Sequence, residues 1–500
     1  MGSIQRQTLL GTGFSYAGIL VGFLTTGLLL PNVLETDQNG LIQVLMSYAI
    51  ILTQFANLGI NGAGGRYFPY FRNYERGHGG FLLLSLSLSI IGFSVATVAV
   101  LAFKDQIQAA NQARSALFSA YYLLLLPLTF ATLFFNLFDN YARLLYDSVT
   151  GTFLKDFLQR FIFLGVVIAY WQGLISFPMM LAGWLSSYMV SLLLMMASLI
   201  RDGHFTLSFH HLDLPPDLRR SLFRYAGLTL MTGLSTQLIL QVDKILINDM
   251  QGLSSTGIYG ISAAFGSVIA APATMLYKVS GVVIADAWKA NNLNSIRSVY
   301  QKSCLSQLVI GCLAFVAIAA NLPNIFQFLK PAYEAGYFVI LWLGFGKLVD
   351  MATGVNGQIL GTSRRYAWDS VFNIAMVIIT LAITPALIRT YGIEGAAIGA
   401  VVATVLFNAA RTGFVWYSFG LQPFSWRNGA VVLLGAVVWL LASLPPYVSG
   451  STLLVIMDMA LRSAGIVVLY LGTLLALRLY PDLNALLVRL WSARGFMNRR

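Results

Sequence analysis

Ser235-Thr-Gln-Leu-Ile-Leu-Gln-Val-Asp-Lys-Ile-Leu-Ile-Asn248 is followed by Gly252-Leu-Ser-Ser-Thr-Gly-Ile-Tyr259 and then by another long apolar run. The first stretch is apolar enough to lie in a bilayer as a helix, yet it carries Asp243 and Lys244 side by side. A charged side chain at the bilayer centre costs about 2.5–3.5 kcal/mol on insertion scales, so two adjacent charges need a polar interior or an interfacial position. Neighbouring residues on a helix point about 100° apart, so the pair cannot neutralise itself side by side. At least one of the two is expected to reach another partner.

Working outward, composition supports the bilayer. The mean hydropathy is +0.74. Of the 500 residues, 57% are hydrophobic and only 10% charged, where soluble chains carry about 25% charged residues. With a span needing about 20 mostly apolar residues, fourteen candidates are expected, near 9–30, 40–60, 80–103, 117–138, 153–171, 176–200, 224–247, 255–278, 302–321, 335–357, 368–388, 393–415, 428–446 and 453–477. The first is too long for a signal-peptide core and no small-residue cleavage site follows it, so it reads as retained. Lys and Arg alternate sharply between the loops. Twenty-three fall on one side, including Arg66, Arg72, Arg201, Arg364, Arg365 and Arg427, against four on the other, Lys104, Arg114, Lys330 and Arg389. The positive-inside rule then places both termini in the cytoplasm. The net charge of +12 reads as topology and contact with anionic membrane lipid, and not as a nucleic-acid surface, because no basic segment forms a patch of its own.

Chemistry-bearing residues are few. The four histidines, His78, His204, His210 and His211, fall in expected loops, so no metal site is expected within the membrane. Cys304 and Cys312 lie eight apart on one expected helix, about 12 Å apart and too far to bridge. No outer loop exceeds about fifteen residues, which leaves no room for a catalytic domain outside the membrane. No catalytic residue and no cofactor is expected.

Polar residues instead form stripes. Gln43, Ser47, Gln54, Asn57 and Asn61 share one face of the second span. Thr229, Thr232 and Thr236 form a similar row on the seventh, beside Gln237, Gln241 and Lys244. Lys347 and Asp350, three apart on the tenth, are close enough to pair. Hydroxyl groups fit ordinary interhelical hydrogen bonding, whereas Gln54, Asn57 and Asn61 together read as a cavity face. Lys347, about twelve residues into its span, reads as a cavity residue that Asp350 partners when the cavity is empty. Asp156 and Arg160 read as a structural i, i+4 pair. Lys244 fits an interfacial anchor as well as a functional role, and Arg462 fits either a groove or snorkelling.

A faint internal repeat (an acidic loop followed by Gly40-Leu-Ile, and Asp249 followed by Gly257-Ile-Tyr) suggests two repeated halves. Residues 1–220 would form an N-lobe of six helices, 221–425 a C-lobe of six, and 426–500 two extra helices with a basic tail. The fold class is therefore all-α, a polytopic membrane protein.

Gln241-Val-Asp-Lys-Ile-Leu-Ile247 with Gly257-Ile-Tyr-Gly-Ile-Ser262, Leu343-Gly-Phe-Gly-Lys-Leu-Val-Asp350 with Thr353-Gly-Val-Asn-Gly357, and Tyr391-Gly-Ile-Glu-Gly-Ala-Ala-Ile-Gly399 together resemble the polysaccharide flippases of the MOP exporter superfamily, the Wzx-like flippases of O-antigen and capsule repeat units. The resemblance runs over roughly residues 220–425, while the N-terminal half agrees in layout. It implies a flippase of the bacterial inner membrane, without enzymatic activity, that moves a polyprenyl-diphosphate-linked oligosaccharide by alternating access. It also implies coupling to H+ or Na+, and polysaccharide polymerase and glycosyltransferase neighbours. The substrate-contact residues expected on this reading are Lys347, Asp350, Lys244, Asp243, Gln54, Asn57 and Asn61, since cationic groups can neutralise a desolvated diphosphate. The chain lacks a set of arginines in the middle of its first two spans, which departs from the lipid II branch. Two alternatives stay open at this point. One is an ion-coupled multidrug exporter of the same superfamily; the other is a membrane-embedded polymerase or acyltransferase.

Overall fold

A computed structural model of the chain describes residues 2–73, 77–111, 114–207 and 216–481. His210, His211, Arg76 and the basic tail beyond residue 481 lie outside the described residues. All regular elements among the described residues are helical. Among the described residues twelve helices are long and apolar enough to cross a membrane, so the chain is a multi-pass membrane protein. The Ala367–Phe419 helix counts as one of them but holds 53 residues, about 80 Å of helix, more than twice the hydrocarbon core. It breaks at Gly392, whose φ of 64° and ψ of −139° are not helical. Gly tolerates this region without a Cβ penalty, and the break falls between the expected eleventh and twelfth spans. The expected fifth span forms the continuous helical stretch Val149–Thr152, Phe153–Leu158 and Gln159–Trp171, with a π-helical middle piece carrying Lys155 and Asp156.

Several helices outrun the bilayer. Pro216–Gln251, Leu253–Lys289 and Leu293–Phe326 hold 36, 37 and 34 residues, each about 50–55 Å long. Lys289, Arg297 and Lys302, expected in a cytoplasmic loop, therefore lie on helices joined by a three-residue break at 290–292. Helix continues where water replaces lipid because its backbone bonds are internal and need no change of partner. The second span shows the converse. Thr36–Ala56 stops and Ile60–Phe71 restarts after a turn in which Leu58 and Gly59 have φ of 50° and 76°.

The chain divides into two compact units, 1–261 with 388–393, and 262–387 with 394–500. The first unit has two apolar cores. One gathers Phe68, Phe81, Leu133 and Tyr141; the other gathers Leu41, Leu45, Phe118, Leu128 and Trp184. In the second unit, Leu308, Cys312, Val431, Ile466 and Tyr470 form one core, and Ile284, Ile296, Tyr300, Ile359 and Val415 another. Both cysteines are free and buried. Outward faces are apolar, as on the Phe81–Ala102 helix, where Ile90, Ile91, Val95, Val98 and Leu101 are exposed. In a soluble protein such a surface would aggregate; here it meets lipid.

Candidate functional site

In the first unit the polar stripe of the second span is turned onto the seventh-span helix, Pro216–Gln251. Lys244 Nζ donates to Gln43 Oε1 at 2.9 Å, and Ser47 Oγ donates to Gln241 Oε1 at 3.1 Å. A Cβ on Gly233 would lie 2.1 Å from Gln54 Nε2, so the Gln54 amide rests on the bare backbone at that position. Asn57 is buried and its Oδ1 accepts the Asn61 N–H at 3.1 Å, capping the restarted helix. The Asn61 carbonyl accepts Asn140 Nδ2 at 3.2 Å. Asp243 is 8% exposed and accepts the Tyr259 hydroxyl at 3.0 Å. The adjacent charges thus reach different partners, Lys244 the second helix and Asp243 the start of the eighth.

This contact continues to the C-terminal end of the Pro216–Gln251 helix. Thr36 and Ser254 hydroxyls lie 2.6 Å apart. Asn248 receives the Ser115 hydroxyl at 2.8 Å and donates to Asn111 at 3.0 Å. Arg114 donates to the Asp249 carbonyl at 3.1 Å, satisfying a group that the helix end leaves open. Backbones come close where glycine allows: a Cβ on Gly40 would sit 1.9 Å from the Leu253 oxygen, and one on Gly257 2.1 Å from that of Thr36. The result is a seam held by hydrogen bonds and glycine contacts.

In the second unit the expected Lys347–Asp350 pair is absent. Asp350 accepts Asn408 Nδ2 at 3.2 Å and the Tyr277 hydroxyl at 3.4 Å. Asn408 Oδ1 in turn accepts Thr353 Oγ1 at 2.8 Å and Asn356 Nδ2 at 3.1 Å. These donors hold the carboxylate away from Lys347. Among the described residues Lys347 has no hydrogen bond or ion pair, although it is half-buried on the apolar helix Tyr337–Ala352. An unpaired ammonium there is available to an anion.

Other charges are settled by the same accounting. Asp156 and Arg160 do not pair: Ser15 Oγ donates to Asp156 at 3.1 Å, and Arg160 Nη1 donates to the Gly18 carbonyl at 2.6 Å. The π turn that contains Asp156 rotates it relative to Arg160 and removes the i, i+4 stacking. Arg462 is held by protein partners. It is 7% exposed, binds Asp458 at 3.0 Å, bonds the Ala442 carbonyl, and stacks on Tyr447 at 4.2 Å. Lys155, assigned to a loop by its charge, is exposed within the fifth span and donates to Asn136 Oδ1 at 3.0 Å. Its neighbour across the helices, Asp139, is buried and paired with Arg143 at 2.8 Å. The signal for this cluster lay in the run Asn136, Asp139, Asn140, Arg143 on the fourth span, a second polar stripe at helical spacing.

No protein-family model matches the chain, and no curated protein matches its sequence. Solved structures do match. The lipid II flippase MurJ in its inward closed conformation aligns with a TM-score of 0.70, covering 93% of this chain and 99% of MurJ at 11% identity. A multidrug resistance MATE family transporter of the MOP superfamily, inward-facing, aligns at 0.63, covering 85% and 99% at 13% identity. MATE in complex with MaL6 aligns at 0.56, covering 86% and 95% at 14% identity. This chain shares the fold of these solved structures. At these identities the likeness concerns the fold, and the side chains must carry any further reading.

Proposed function

We propose that this protein is a flippase that carries a polyprenyl-diphosphate-linked oligosaccharide across the bacterial inner membrane by alternating access, in the synthesis of a cell-surface polysaccharide. The observation that carries the reading is Lys347, a half-buried cation on a membrane-spanning helix with no hydrogen bond or ion pair among the described residues. A diphosphate leaving water loses strong hydration, and a charge-assisted hydrogen bond compensates it. The lipid tail can stay in the bilayer while only the polar head is desolvated. On this reading the outer seam of Thr36, Ser254, Asn111, Ser115 and Asn248 parts when the head is released. Hydrogen-bonded side chains suit a seam that opens, because water replaces each partner at little net cost. Asp243, Lys244, Gln54, Asn57 and Asn61 then act at that seam and at its inner continuation, and Asp350 serves as an ion-linked group for H+ or Na+.

The proposal extends to topology: fourteen spans, both termini cytoplasmic, an N-lobe over 1–220, a C-lobe over 221–425, and two further helices from 426. Reporter fusions at 112, 290 and 482 test the orientation, with only the first expected outside. Polymerase and glycosyltransferase partners follow from the same assignment.

The functional test is Lys347→Ala. Leaflet-resolved measurement of lipid-linked oligosaccharide should show it trapped on the cytoplasmic side, with the protein still abundant in the membrane. Normal delivery by that variant removes the assignment. A drug exporter is the second reading, favoured by the uncompensated carboxylate of Asp350 and by the MATE likeness. It predicts that Asp350→Asn sensitises cells to cationic drugs while glycan delivery continues.

A further inference from the structure

The short helix Ile60–Phe71 has an unusual accessible face. Its buried side carries Ile60, Ala63, Phe68 and Phe71. Its accessible side carries Asn61, Gly62, Gly65, Arg66, Pro69 and Tyr70, with no Leu, Ile or Val. The lipid-facing side of the Phe81–Ala102 helix, by contrast, presents Ile90, Ile91, Val95, Val98 and Leu101. A face without Leu, Ile or Val meets water or a polar ligand rather than acyl chains. A Cβ on Gly65 would meet nothing within 4 Å, so the space beside it is open.

Arg66 is held at the edge of that space. Its guanidinium lies 5.0 Å from the ring centre of Tyr225 and 5.9 Å from that of Tyr67. The two rings meet edge to face at 5.8 Å, and Tyr70, 72% exposed, lies 6.3 Å from Tyr67. Among the described residues Arg66 has no carboxylate or hydrogen-bond partner. The tyrosine faces fix its plane while its N–H groups stay free. Arg72, six residues on, differs: it is committed to the Tyr146 hydroxyl and to the Leu144 carbonyl at 2.9 Å. A free, oriented guanidinium suits a phosphate, and an exposed tyrosine offers an apolar plane and a hydroxyl to a sugar ring.

We infer that Arg66, Tyr67, Tyr70 and Tyr225, with the opening at Gly65, form a loading subsite for the sugar-diphosphate head of the lipid-linked substrate. It rests on the flippase reading above and adds to it a place where the head is held before it reaches Lys347. The Arg-rich side of the chain on which Arg66 lies is the cytoplasmic one on that reading, where the substrate is made. The same chemistry is offered by a bulk phospholipid phosphate, which lacks the sugar.

The experiment uses the full-length protein in phosphatidylcholine nanodiscs. The probes are undecaprenyl diphosphate bearing one N-acetylglucosamine and, separately, phosphatidylglycerol, with binding followed by native mass spectrometry. Arg66→Gln should weaken the glycolipid at least ten-fold and leave phosphatidylglycerol within two-fold. Gly65→Leu, which fills open space and leaves the helix intact, should do the same. Gly165→Leu, at an open exposed position on the fifth span, should change nothing. Glycolipid binding within two-fold of the wild type in Arg66→Gln overturns the subsite, as does an equal loss of both lipids. If Arg66→Gln binds normally and Lys347→Ala does not, the subsite falls and the flippase reading stands. Failure of the wild-type protein to bind the glycolipid removes both.

Discussion

The second-span stripe and the tenth-span lysine look alike as sequence and differ as structure. Both put polar or charged side chains deep in apolar helices. In the first unit three such groups are paired: Lys244 with Gln43, Ser47 with Gln241 and Asp243 with Tyr259. In the second unit Lys347 has no such partner among the described residues, because Tyr277 and Asn408 occupy the carboxylate one turn away. Hydrogen-bond accounting separates two roles that hydropathy treats as one.

That contrast breaks most easily at its saturated extreme. Arg462 fills its donors with Asp458 and the carbonyls of Ala442, Pro445 and Pro446. Arg462→Ala leaves Asp458 without its cation and should destabilise the protein by about 3–5 kcal/mol. The measurement is the melting temperature in detergent and the amount of folded protein in the membrane; a melting curve matching the wild type refutes the structural role. Next comes Lys347→Ala, with the opposite signature. Export should fall about 10- to 100-fold, the worth of one charge-assisted bond of about 1.5–3 kcal/mol, with no drop in melting temperature. A destabilised Lys347→Ala protein would erase the distinction.

Smaller effects sharpen it. Gln43→Leu strands Lys244 and should cost about 1–3 kcal/mol, whereas Gln43→Leu with Lys244→Met should recover most of that loss, since removing both partners is nearly neutral. A cycle without recovery would show that Lys244 acts beyond the seam. Cysteines placed together at Thr36 and Ser254, whose hydroxyls now touch, should join by oxidation and stop export until reductant is added. Continued export by the oxidised protein rules out an opening at this seam.

The smallest effect lies outside the spans. Burial in the turn 77–80, with His204 and Arg72 nearby, holds the His78 imidazole below its usual pKa. A histidine kept neutral by folding binds fewer protons than in the unfolded chain, so its contribution is present above about pH 6.5 and is lost as pH falls further. Melting temperatures measured between pH 7.5 and 5.5 should decline toward the acid end, and His78→Gln should flatten that decline. An unchanged slope in the variant assigns the pH dependence elsewhere.

Much of the fold was legible in the chain. The expected spans fall on helix for most of their length, and Gly392 breaks the long helix between the expected eleventh and twelfth. Twenty apolar residues in a row leave a backbone no alternative in lipid but to bond internally. Less of the site was legible. The spacing of Lys347 and Asp350 allowed a pair, and so did that of Asp156 and Arg160, yet none formed. Tyr277, Asn408, Ser15 and Gly18 compete for them from helices up to 142 residues away in the chain. The π turn at Phe153–Leu158 and the glycine approach at Gly40 leave no periodic mark either.

The sequence by itself therefore determined that this is a multi-pass helical membrane protein with polar groups inside it, because desolvation acts on each segment separately. Only the tertiary structure decided which of those groups are already satisfied. A hydrogen bond in the membrane belongs to two helices at once, and no single segment encodes its partner. Asp243 and Lys244, the pair that first marked the chain as unusual, prove to be part of a seam, while Lys347 and Arg66 have no hydrogen bond or ion pair among the described residues.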